Sequence, residues 1–455
     1  MDYHEDSARG AWGSKIAFVF AAAGSAIGLG NIWRYPMMVG LNGGAVFVFA
    51  NILAVIIIGF TVMLAEFAIG RHTRKNPVGA YNAIKPGTPW KLLGYLNVAV
   101  GIGILSFYGV IAGWAVGYFF KAITGAFRRD LSWQSSNAIF KNFSADPLVV
   151  LVCFFVIIVL TVFIISKGIK GGIEKWSKIL MPALFVLIIV LAIRALTLPG
   201  AGKGLAFYLK PDFSKFNSTV LFFAVAQAFF SLSVGNGAML TYASYLSKKD
   251  NLVSSTGWVC FFDTLVAILA GIIIFPTLFT SPGIVPGEFK ADTGLMFQVF
   301  PMVLSKMPGG YVFGVMFFTL LLVAVLTSTL SLLEVPTAFL VDEKNWTRKK
   351  AATFLGALAF IIGIPSALSN GGVKLFTKWG VMIKMDFIFI SLGMTIGALF
   401  ISLFLAYAWR VKNALKEISF GNSRFKLKPL WVFNIKYLAP VVIVIILIII
   451  TNIFG

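Results

Sequence analysis

The residues best placed for chemistry lie inside two apolar stretches that glycine interrupts. The first reads GSAIGLGNIWRYP at 24–36, and the second reads VAQAFFSLSVGNGAMLTYASY at 225–245, with serines, glycines and Asn236 at its middle. Glycine costs about 1 kcal/mol relative to alanine in an exposed helix interior, but it permits dihedrals that break the helical hydrogen-bond ladder. Freed carbonyl and amide groups facing lipid would be very costly, so these breaks predict backbone that lines a polar cavity.

Side chains for covalent or metal catalysis are few. The two histidines, His4 and His72, lie near no cysteine and no cluster of carboxylates. Cys153 and Cys260 lie in apolar segments without metal-ligand spacing, and we interpret them as packing residues. Because no apolar stretch offers a nucleophile with its base or a paired-acid motif, an intramembrane enzyme is not expected.

The elements that must position these residues are membrane-spanning helices. Of the 455 residues, 59% are hydrophobic and 12% are charged, whereas an ordinary soluble domain has roughly 25% charged residues. Apolar runs of about 20 residues, enough to cross a hydrocarbon core of about 30 Å, recur along the chain and predict an all-α integral membrane protein in a lipid bilayer. The net charge of +21 comes from separate short loops, which is not the footprint of a nucleic-acid-binding protein.

We predict eleven helices, called spans 1 to 11 in chain order. Their approximate bounds are 13–40, 44–70, 92–124, 147–166, 172–196, 219–245, 252–280, 311–341, 350–368, 381–409 and 437–454. Spans 1 to 5 (13–196) and spans 6 to 10 (219–409) form two halves, and each half begins with an interrupted stretch. Such a match between halves indicates a transporter's binding site near the bilayer midplane. The alternative is that the small residues only let helices pack closely.

The distribution of basic residues predicts the orientation. With the N-terminus in the cytoplasm, roughly 24 of the 38 Lys and Arg face inward, as the positive-inside rule requires. The polar segment 1–12, which lacks the features of a cleaved signal peptide, and a basic loop at 410–436 are then cytoplasmic. Residues 437–455, which hold span 11, end outside. We therefore expect a multi-pass protein of the plasma membrane.

The motifs resemble the neurotransmitter:sodium symporter family, most closely its bacterial amino-acid transporters. In family order they are GSAIGLGNIWRYP at 24–36, NGGAVF at 42–47, SFYGVIAGW at 106–114, the interrupted stretch of span 6, and LTSTLSLLEVP at 326–336. The resemblance implies a leucine-transporter-like fold, an inverted repeat of five plus five helices in which spans 1 and 6 are broken. It also implies sodium-coupled import, and the absence of a GxxxxGK motif leaves ion gradients as the expected energy source.

The resemblance implies two sodium sites, which suit a hard cation that prefers oxygen ligands. The first is completed by the substrate carboxylate, and its protein ligands would be the Ala26 carbonyl, the Asn31 amide oxygen, Ser231 and Asp263. The second would use the carbonyls of Gly24, Ile27 and Ala324 with the hydroxyls of Thr327 and Ser328. Without the resemblance, these two hydroxyls are better interpreted as bonding back to their own helix.

The resemblance also implies which residues bind the carboxylate and the ammonium group of an amino-acid substrate. The carboxylate would meet the Tyr108 hydroxyl and the amides of Leu29 and Gly30, at a helix N-terminus whose dipole favours an anion. The ammonium group would meet groups that accept hydrogen bonds, namely the carbonyls of Ala26, Phe230 and Ser231 and the Ser233 hydroxyl. Monoamine transporters of the family carry an aspartate at the position of Gly28. Glycine leaves room for a carboxylate and predicts an amino acid.

The pocket for the substrate side chain is expected to be largely apolar, formed by Ile104, Phe230, Ser328 and Leu332. Asn236 replaces an apolar residue of the leucine transporter. Its amide would either bond a phenol or an indole, or point away and widen the pocket. We favour a large neutral side chain, aromatic or aliphatic, with tyrosine as the first candidate.

Four acids, Glu66, Asp263, Glu334 and Asp386, fall within predicted spans, where a charge is costly and needs a partner. Asp263 aligns with an asparagine that lies beside a bound chloride in the animal transporters. Its carboxylate predicts chloride-independent transport, with Asp263 protonated on the empty return step and protons carried in the opposite direction. Glu66 and Glu334 are interpreted as structural, hydrogen-bonded to backbone.

Alternating exposure of a midplane site requires two gates. By resemblance, Arg34 and Asp386 would close the outer gate and Arg9 and Asp342 the inner one, although Arg9 and Asp342 without it are better interpreted as solvated charges. An amino-acid-gated channel or a non-transporting sensor of the same fold stays open as an alternative, since carbonyl-lined breaks also build ion filters. The sequence also leaves open the exact amino acid, the sodium stoichiometry and the oligomeric state.

Overall fold

The computed structural model describes residues 10–128, 130–279, 295–421 and 425–454. These residues form helices joined by turns, and none of the described positions lies in a β-strand. The expected all-α fold is confirmed.

Nine helices within these four ranges are long and apolar enough to cross a membrane, and they correspond to spans 2 to 5 and 7 to 11. In chain order their bounds are Ala45–Thr73, Lys91–Ile123, Pro147–Ser166, Ile169–Leu196, Leu252–Phe279, Gly310–Lys344, Arg348–Ala367, Val381–Ser419 and Lys428–Ile450. Local sequence explains several of these boundaries. Span 4, for example, begins after Asp146, whose carboxylate accepts hydrogen bonds from the amides of Leu148 and Val149.

Spans 1 and 6 are broken, as their glycines predict. Span 1 consists of Lys15–Ala26 and Gly30–Leu41, whose axes differ by 50°. Span 6 consists of Ser218–Ser231 and the short helix Ala238–Ala243, and the residues between them, 232–237, are not helical. Both interruptions therefore fall where the sequence places them.

The segment at 410–436, predicted to be a basic loop, is mostly helical. Span 10 continues through Ser419, and span 11 begins at Lys428. The part at 411–419 reads VKNALKEIS, contains good helix formers and buries its apolar residues on one face. Its lysines lie on the exposed face of this amphipathic helix. The charges that indicated a loop thus belong to a helix surface.

Within the described residues, five shorter α-helices connect the spans, and none of them is predicted from the apolar pattern. They are Pro77–Ile84, Trp133–Ala145, Ala201–Leu209, Leu295–Ser305 and Lys374–Trp379. Each is too short to appear in a search for runs of about 20 apolar residues.

Among the nine long helices of the described residues, spans 3 and 8 are the most enclosed. In their most apolar stretches, 89% and 78% of the residues are buried, against 33% for span 11. The two spans pack against each other, and span 8 also contacts the first half of span 1 and the second half of span 6. The broken helices therefore meet an intact pair at the centre of the protein.

Candidate functional site

The break in span 1 is stabilised by hydrogen bonds that leave the helical ladder. The Gly28 amide donates to the Asn31 side-chain oxygen over 3.3 Å, and the Leu29 amide donates to the Tyr108 hydroxyl over 3.4 Å. Neither amide continues the helix that ends at Ala26. Tyr108 lies on span 3, so a neighbouring helix holds the break open.

The same bonds free carbonyl groups on the last turn of the first half of span 1. The carbonyls of Gly24 and Ile27 lose their usual helical donors, because the amides four residues further on are bonded elsewhere. The Ser25 carbonyl accepts instead from the Ser233 hydroxyl in span 6, over 2.9 Å. Free carbonyls in a buried place are the groups that a small hard cation binds.

The break in span 6 is held from spans 2 and 3. The Glu66 carboxylate accepts from the amide of Gly235 over 2.7 Å and from that of Leu240 over 3.1 Å. The Asn97 amide group donates to the Gly235 carbonyl over 2.8 Å. Glu66 is thus hydrogen-bonded to backbone, as predicted, whereas nothing in the local sequence marks Asn97.

A small cavity lies between the two breaks. Spans 1, 3, 6, 8 and 10 contribute its lining, which consists of Ser25, Ala26, Gly28, Leu29, Gly30, Ile104, Tyr108, Phe230, Ser233, Asn236, Ser328, Ser331, Leu332 and Met394. Every predicted substrate residue lines it except Ser231, whose hydroxyl turns towards Asp263. The structure therefore gathers residues from both halves of the chain around one space.

Three lining residues are missing from the prediction. Ser25 lies within the glycine-rich break of span 1, and Ser331 follows Ser328 by one helical turn, so both had a local signal in the sequence. Met394 had none, because its place in the lining depends on how span 10 packs against the break of span 6.

Beside the cavity, the side chains predicted for the first sodium site form one hydrogen-bonded group. The Ser231 hydroxyl and the Asn31 amide nitrogen donate to the same Asp263 carboxylate oxygen over 2.7 and 2.8 Å. Asp263 is only 1% exposed, and within the described residues no cationic side chain pairs with it. A buried carboxylate without a cationic partner suits a site for a metal cation, and the last helical residue before the break, Ala26, is buried nearby in the cavity wall.

Gly24 and Thr327, both predicted for the second sodium site, lie against each other where spans 1 and 8 touch. A Cβ at Gly24 would lie 3.2 Å from the Thr327 Cβ and 3.2 Å from the Met181 sulfur. The hydroxyls of Thr327 and Ser328 donate to the Ala324 carbonyl over 2.9 and 3.3 Å, so they do bond back to their own helix. Each hydroxyl oxygen keeps lone pairs for a cation, and the two interpretations are compatible.

The predicted outer gate lies above the cavity. The Arg34 guanidinium stacks over the Phe230 ring at 4.6 Å and is close enough to Asp386 for an electrostatic interaction. Within the described part of the chain, however, Arg34 and Asp386 do not form a direct ion pair. Because Phe230 lines the cavity, the cation–π contact connects Arg34 of the predicted gate to the cavity wall.

The opposite side is closed by the segment that precedes span 1. The Trp12 indole donates to the Tyr242 carbonyl over 2.8 Å, and the Gly13 amide donates to Glu174 over 2.8 Å. Asp342, predicted for the inner gate, accepts from the backbone and side-chain amides of Asn76 over 2.9 and 3.0 Å. Its predicted partner Arg9 lies outside the described residues.

Glu334 corrects one prediction, because its partners are side chains and not backbone groups. It accepts from the Tyr245 hydroxyl over 2.7 Å and forms an ion pair with Arg348. Arg348 is the first residue of span 9. The prediction considered only the apolar surroundings of Glu334 within span 8, so it did not include a partner from span 9. A buried charge is thus neutralised by an opposite charge from the next span.

Known proteins resemble this chain over nearly its whole length. A family model described as the sodium:neurotransmitter symporter family matches residues 9–147 and 140–454. The uncharacterized sodium-dependent transporter YhdH of Bacillus subtilis is 38% identical over 439 residues, 96% of each chain. An uncharacterized sodium-dependent transporter of Haemophilus influenzae is 36% identical over 461 residues, 98% of each chain.

A solved structure shares the architecture as well. The crystal structure of MhsT in complex with L-phenylalanine matches this fold with a TM-score of 0.88 and 40% sequence identity, over 97% of this chain and 99% of that one. The two broken spans around a common cavity are therefore part of a known transporter fold. The chain is a sodium-dependent transporter, not an enzyme, and it belongs to the sodium:neurotransmitter symporter family.

Proposed function

We propose that this transporter is a sodium-coupled symporter that imports a neutral amino acid with a large hydrophobic or aromatic side chain by alternating access. The observation that carries the proposal is the cavity between the two helix breaks, which combines backbone polar groups with an apolar wall. An amino acid offers a carboxylate, an ammonium group and a side chain to such a cavity. The related MhsT is described with L-phenylalanine bound.

The substrate carboxylate would bind at the break of span 1. The Leu29 amide and the Tyr108 hydroxyl, 3.4 Å apart, bond to each other and would both turn to an anion placed between spans 1 and 3. A Cβ at Gly28 would lie 3.0 Å from the Tyr108 hydroxyl oxygen and would collide with the Ser328 hydroxyl. An aspartate at position 28 would fill the space that the carboxylate needs, so Gly28 supports an amino acid rather than a monoamine.

The ammonium group and the side chain would occupy the rest of the cavity. Carbonyls of Ala26 and Phe230 and the Ser233 hydroxyl would accept hydrogen bonds from the ammonium group. Around the side chain, Ile104, Leu332 and Met394 provide apolar surface. This division places the polar end of the substrate at the breaks and its apolar end against spans 3, 8 and 10.

Asn236 bears on the choice among large side chains. Its side-chain oxygen accepts from the Ala238 amide over 2.9 Å, in a local turn just before the second half of span 6. The amide nitrogen is the group left to donate to a substrate. A phenol oxygen accepts such a bond more readily than an indole N–H, which needs an acceptor, so tyrosine stays the first candidate.

Two sodium ions would couple to the substrate, because each proposed ion site shares a residue with the cavity. Ala26 belongs to the first ion site and Ser328 to the second, and both line the cavity. Occupying an ion site therefore orders a wall of the cavity, which links the two binding equilibria. The same proposal places the protein in the plasma membrane with a cytoplasmic N-terminus and an external C-terminus, so that an inward sodium gradient drives import.

Uptake into liposomes tests the proposal. The purified protein is reconstituted under an imposed sodium gradient, and labelled neutral amino acids are screened with and without chloride. We expect saturable, sodium-dependent accumulation of aromatic or large aliphatic amino acids in both conditions. Glycine or alanine ranked far above every aromatic would exclude the large pocket, non-saturating flux would indicate a channel, and sodium-dependent binding without uptake would indicate a sensor.

A further inference from the structure

Asn97 lies on the cavity face of span 3 without lining the cavity. It precedes Ile104 by seven residues and Tyr108 by eleven, which are spacings that place all three on one side of a helix. Its side chain is fully buried. Instead of facing the cavity, it contacts the broken segment of span 6.

Asn97 touches the residues on both sides of Asn236. Its amide nitrogen donates to the carbonyl of Gly235 over 2.8 Å. On the other side, a Cβ at Gly237 would lie 2.8 Å from the Asn97 Cβ, so the backbone of Gly237 packs directly on this side chain. Since Gly235 and Gly237 have φ values of +93° and +80°, the backbone around Asn236 is bent into a shape that needs external support.

Other spans also contact Gly235, but its carbonyl accepts a side-chain hydrogen bond from Asn97. Glu66 on span 2 accepts a hydrogen bond from the Gly235 amide. A Cβ at Gly235 would collide with the Met394 carbonyl, so span 10 packs directly against the backbone of Gly235. The Gly235 carbonyl belongs to the peptide group that leads into Asn236. Asn97 is the side chain that sets the direction of that carbonyl, and with it the direction in which the Asn236 side chain leaves the backbone.

The hydrogen-bonding state of the Asn97 side chain indicates that its bond to the Gly235 carbonyl is the reason for an asparagine here. Among the described residues, no group donates to its side-chain oxygen, although that atom is buried. An unsatisfied buried acceptor is destabilising, and an apolar residue of the same size would avoid the penalty. What asparagine provides here, and leucine does not, is the donor to Gly235.

We propose that Asn97 is a positioning residue for substrate selectivity: by holding the Gly235 carbonyl, it orients the Asn236 amide at the side-chain end of the cavity. Asn97 acts through Asn236 and makes no contact with the substrate. This inference rests on the proposed function, since it concerns which neutral amino acids the site prefers.

Variants at position 97 test the inference through a ratio of substrates. Asn97→Leu removes the donor at similar size, Asn97→Asp replaces it with an acceptor, and Asn97→Gln retains an amide donor. In liposomes under a sodium gradient, we expect the ratio of kcat/KM for tyrosine to that for leucine to change about fivefold or more in the first two variants, with partial recovery in the third. A purely structural role would lower uptake of both amino acids equally and leave the ratio unchanged.

Asn51 offers a matched control. It is a buried asparagine on span 2 whose amide nitrogen donates to the Ala224 carbonyl of span 6 over 2.8 Å, away from the cavity. Asn51→Leu therefore removes the same kind of bond to the same span. We expect it to reduce the amount of active protein without changing the tyrosine-to-leucine ratio.

A double-mutant cycle with Asn236→Ala decides whether the effect passes through Asn236. In that background, a substitution at Asn97 should change the ratio no further, because the group it orients is gone. An unchanged ratio in the position-97 variants, or equal effects with and without Asn236, overturns the inference while sodium-driven uptake stands. If the unchanged protein takes up no neutral amino acid, the proposed function fails first and the selectivity role fails with it.

Discussion

Only a few polar groups lie at the proposed carboxylate site, and two of them belong to Tyr108 and Leu29. One hydroxyl and one backbone amide, 3.4 Å apart, face each other across spans 3 and 1. Gly28 beside them has no side chain, and this leaves space next to the Tyr108 hydroxyl. A Cβ at this position would lie 3.0 Å from that hydroxyl oxygen. At the scale of residues, the proposed recognition of a carboxylate would depend on one hydroxyl, one backbone amide and the absence of a side chain at Gly28.

Tyr108→Phe removes the hydroxyl and keeps the ring. A hydrogen bond to a charged group contributes about 1.5–3 kcal/mol, so we expect KM for amino-acid uptake to rise roughly 10- to 150-fold. Tyr95→Phe is the matched control, since Tyr95 lies on the same span, is 47% exposed and packs on Phe339. A Tyr108→Phe protein with the KM of the control would remove this hydroxyl from the carboxylate site.

Gly28→Ala places a methyl group where the Ser328 hydroxyl and the Tyr108 hydroxyl already lie. Overpacking of this kind costs about 1–3 kcal/mol, and because the methyl group also takes space from the substrate, we expect equilibrium binding to weaken about tenfold or more. Gly257→Ala on span 7 is the control, since a Cβ there meets nothing within 4 Å. Equal affinities in the two variants would contradict the proposed position of the carboxylate.

At the scale of elements, the two broken helices depend on intact neighbours. The glycines of spans 1 and 6 predict where the ladder stops, because the signal is local in the sequence. The groups that hold the breaks, Glu66 on span 2 and Asn97 on span 3, are far away in the chain. From the apolar surroundings of Glu66, the sequence predicts that its carboxylate bonds to backbone groups, but it does not predict that these groups lie in span 6. For Asn97, the local sequence gives no sign of its role.

Glu66→Gln tests this support. The carboxylate accepts from two backbone amides, and an amide side chain would present a donor to one of them. We expect a loss of about 1.5–3 kcal/mol in the stability of the broken segment, read as faster hydrogen exchange at 232–240 and a lower Tm in detergent. Asp130→Asn is the control because its side chain is 81% exposed. Exchange at 232–240 that matches the control would show that Glu66 does not hold the break.

At the scale of the whole molecule, spans from both halves surround one buried carboxylate beside the cavity. Asp263 on span 7 receives hydrogen bonds from Asn31 on span 1 and Ser231 on span 6. We propose that this carboxylate, which is part of the fold, balances the charge of a sodium ion at the first proposed site, so that transport needs no anion from solution. We propose that Arg34 with Asp386, and the segment around Trp12, separate the cavity from the two membrane surfaces.

Ion replacement tests the role of this charge. Exchange of chloride for gluconate should leave uptake by the unchanged protein within about twofold, whereas Asp263→Asn should lower chloride-free uptake about tenfold or more, with partial recovery in chloride. Asp212→Asn serves as the control, because that carboxylate is about half exposed in a loop. Uptake by the unchanged protein that stops without chloride would contradict the proposal.

The sequence by itself determined the membrane class, the order of the apolar helices, and the position of both helix breaks. These properties depend on local composition, since lipid requires each apolar helix to satisfy its own backbone and glycine marks where it does not. The tertiary structure alone decided that Met394 joins the cavity, that Ser231 turns away from it, and that Glu334 pairs with Arg348. Such contacts join different spans, and a hydrophobic pattern does not specify which faces of two helices will meet.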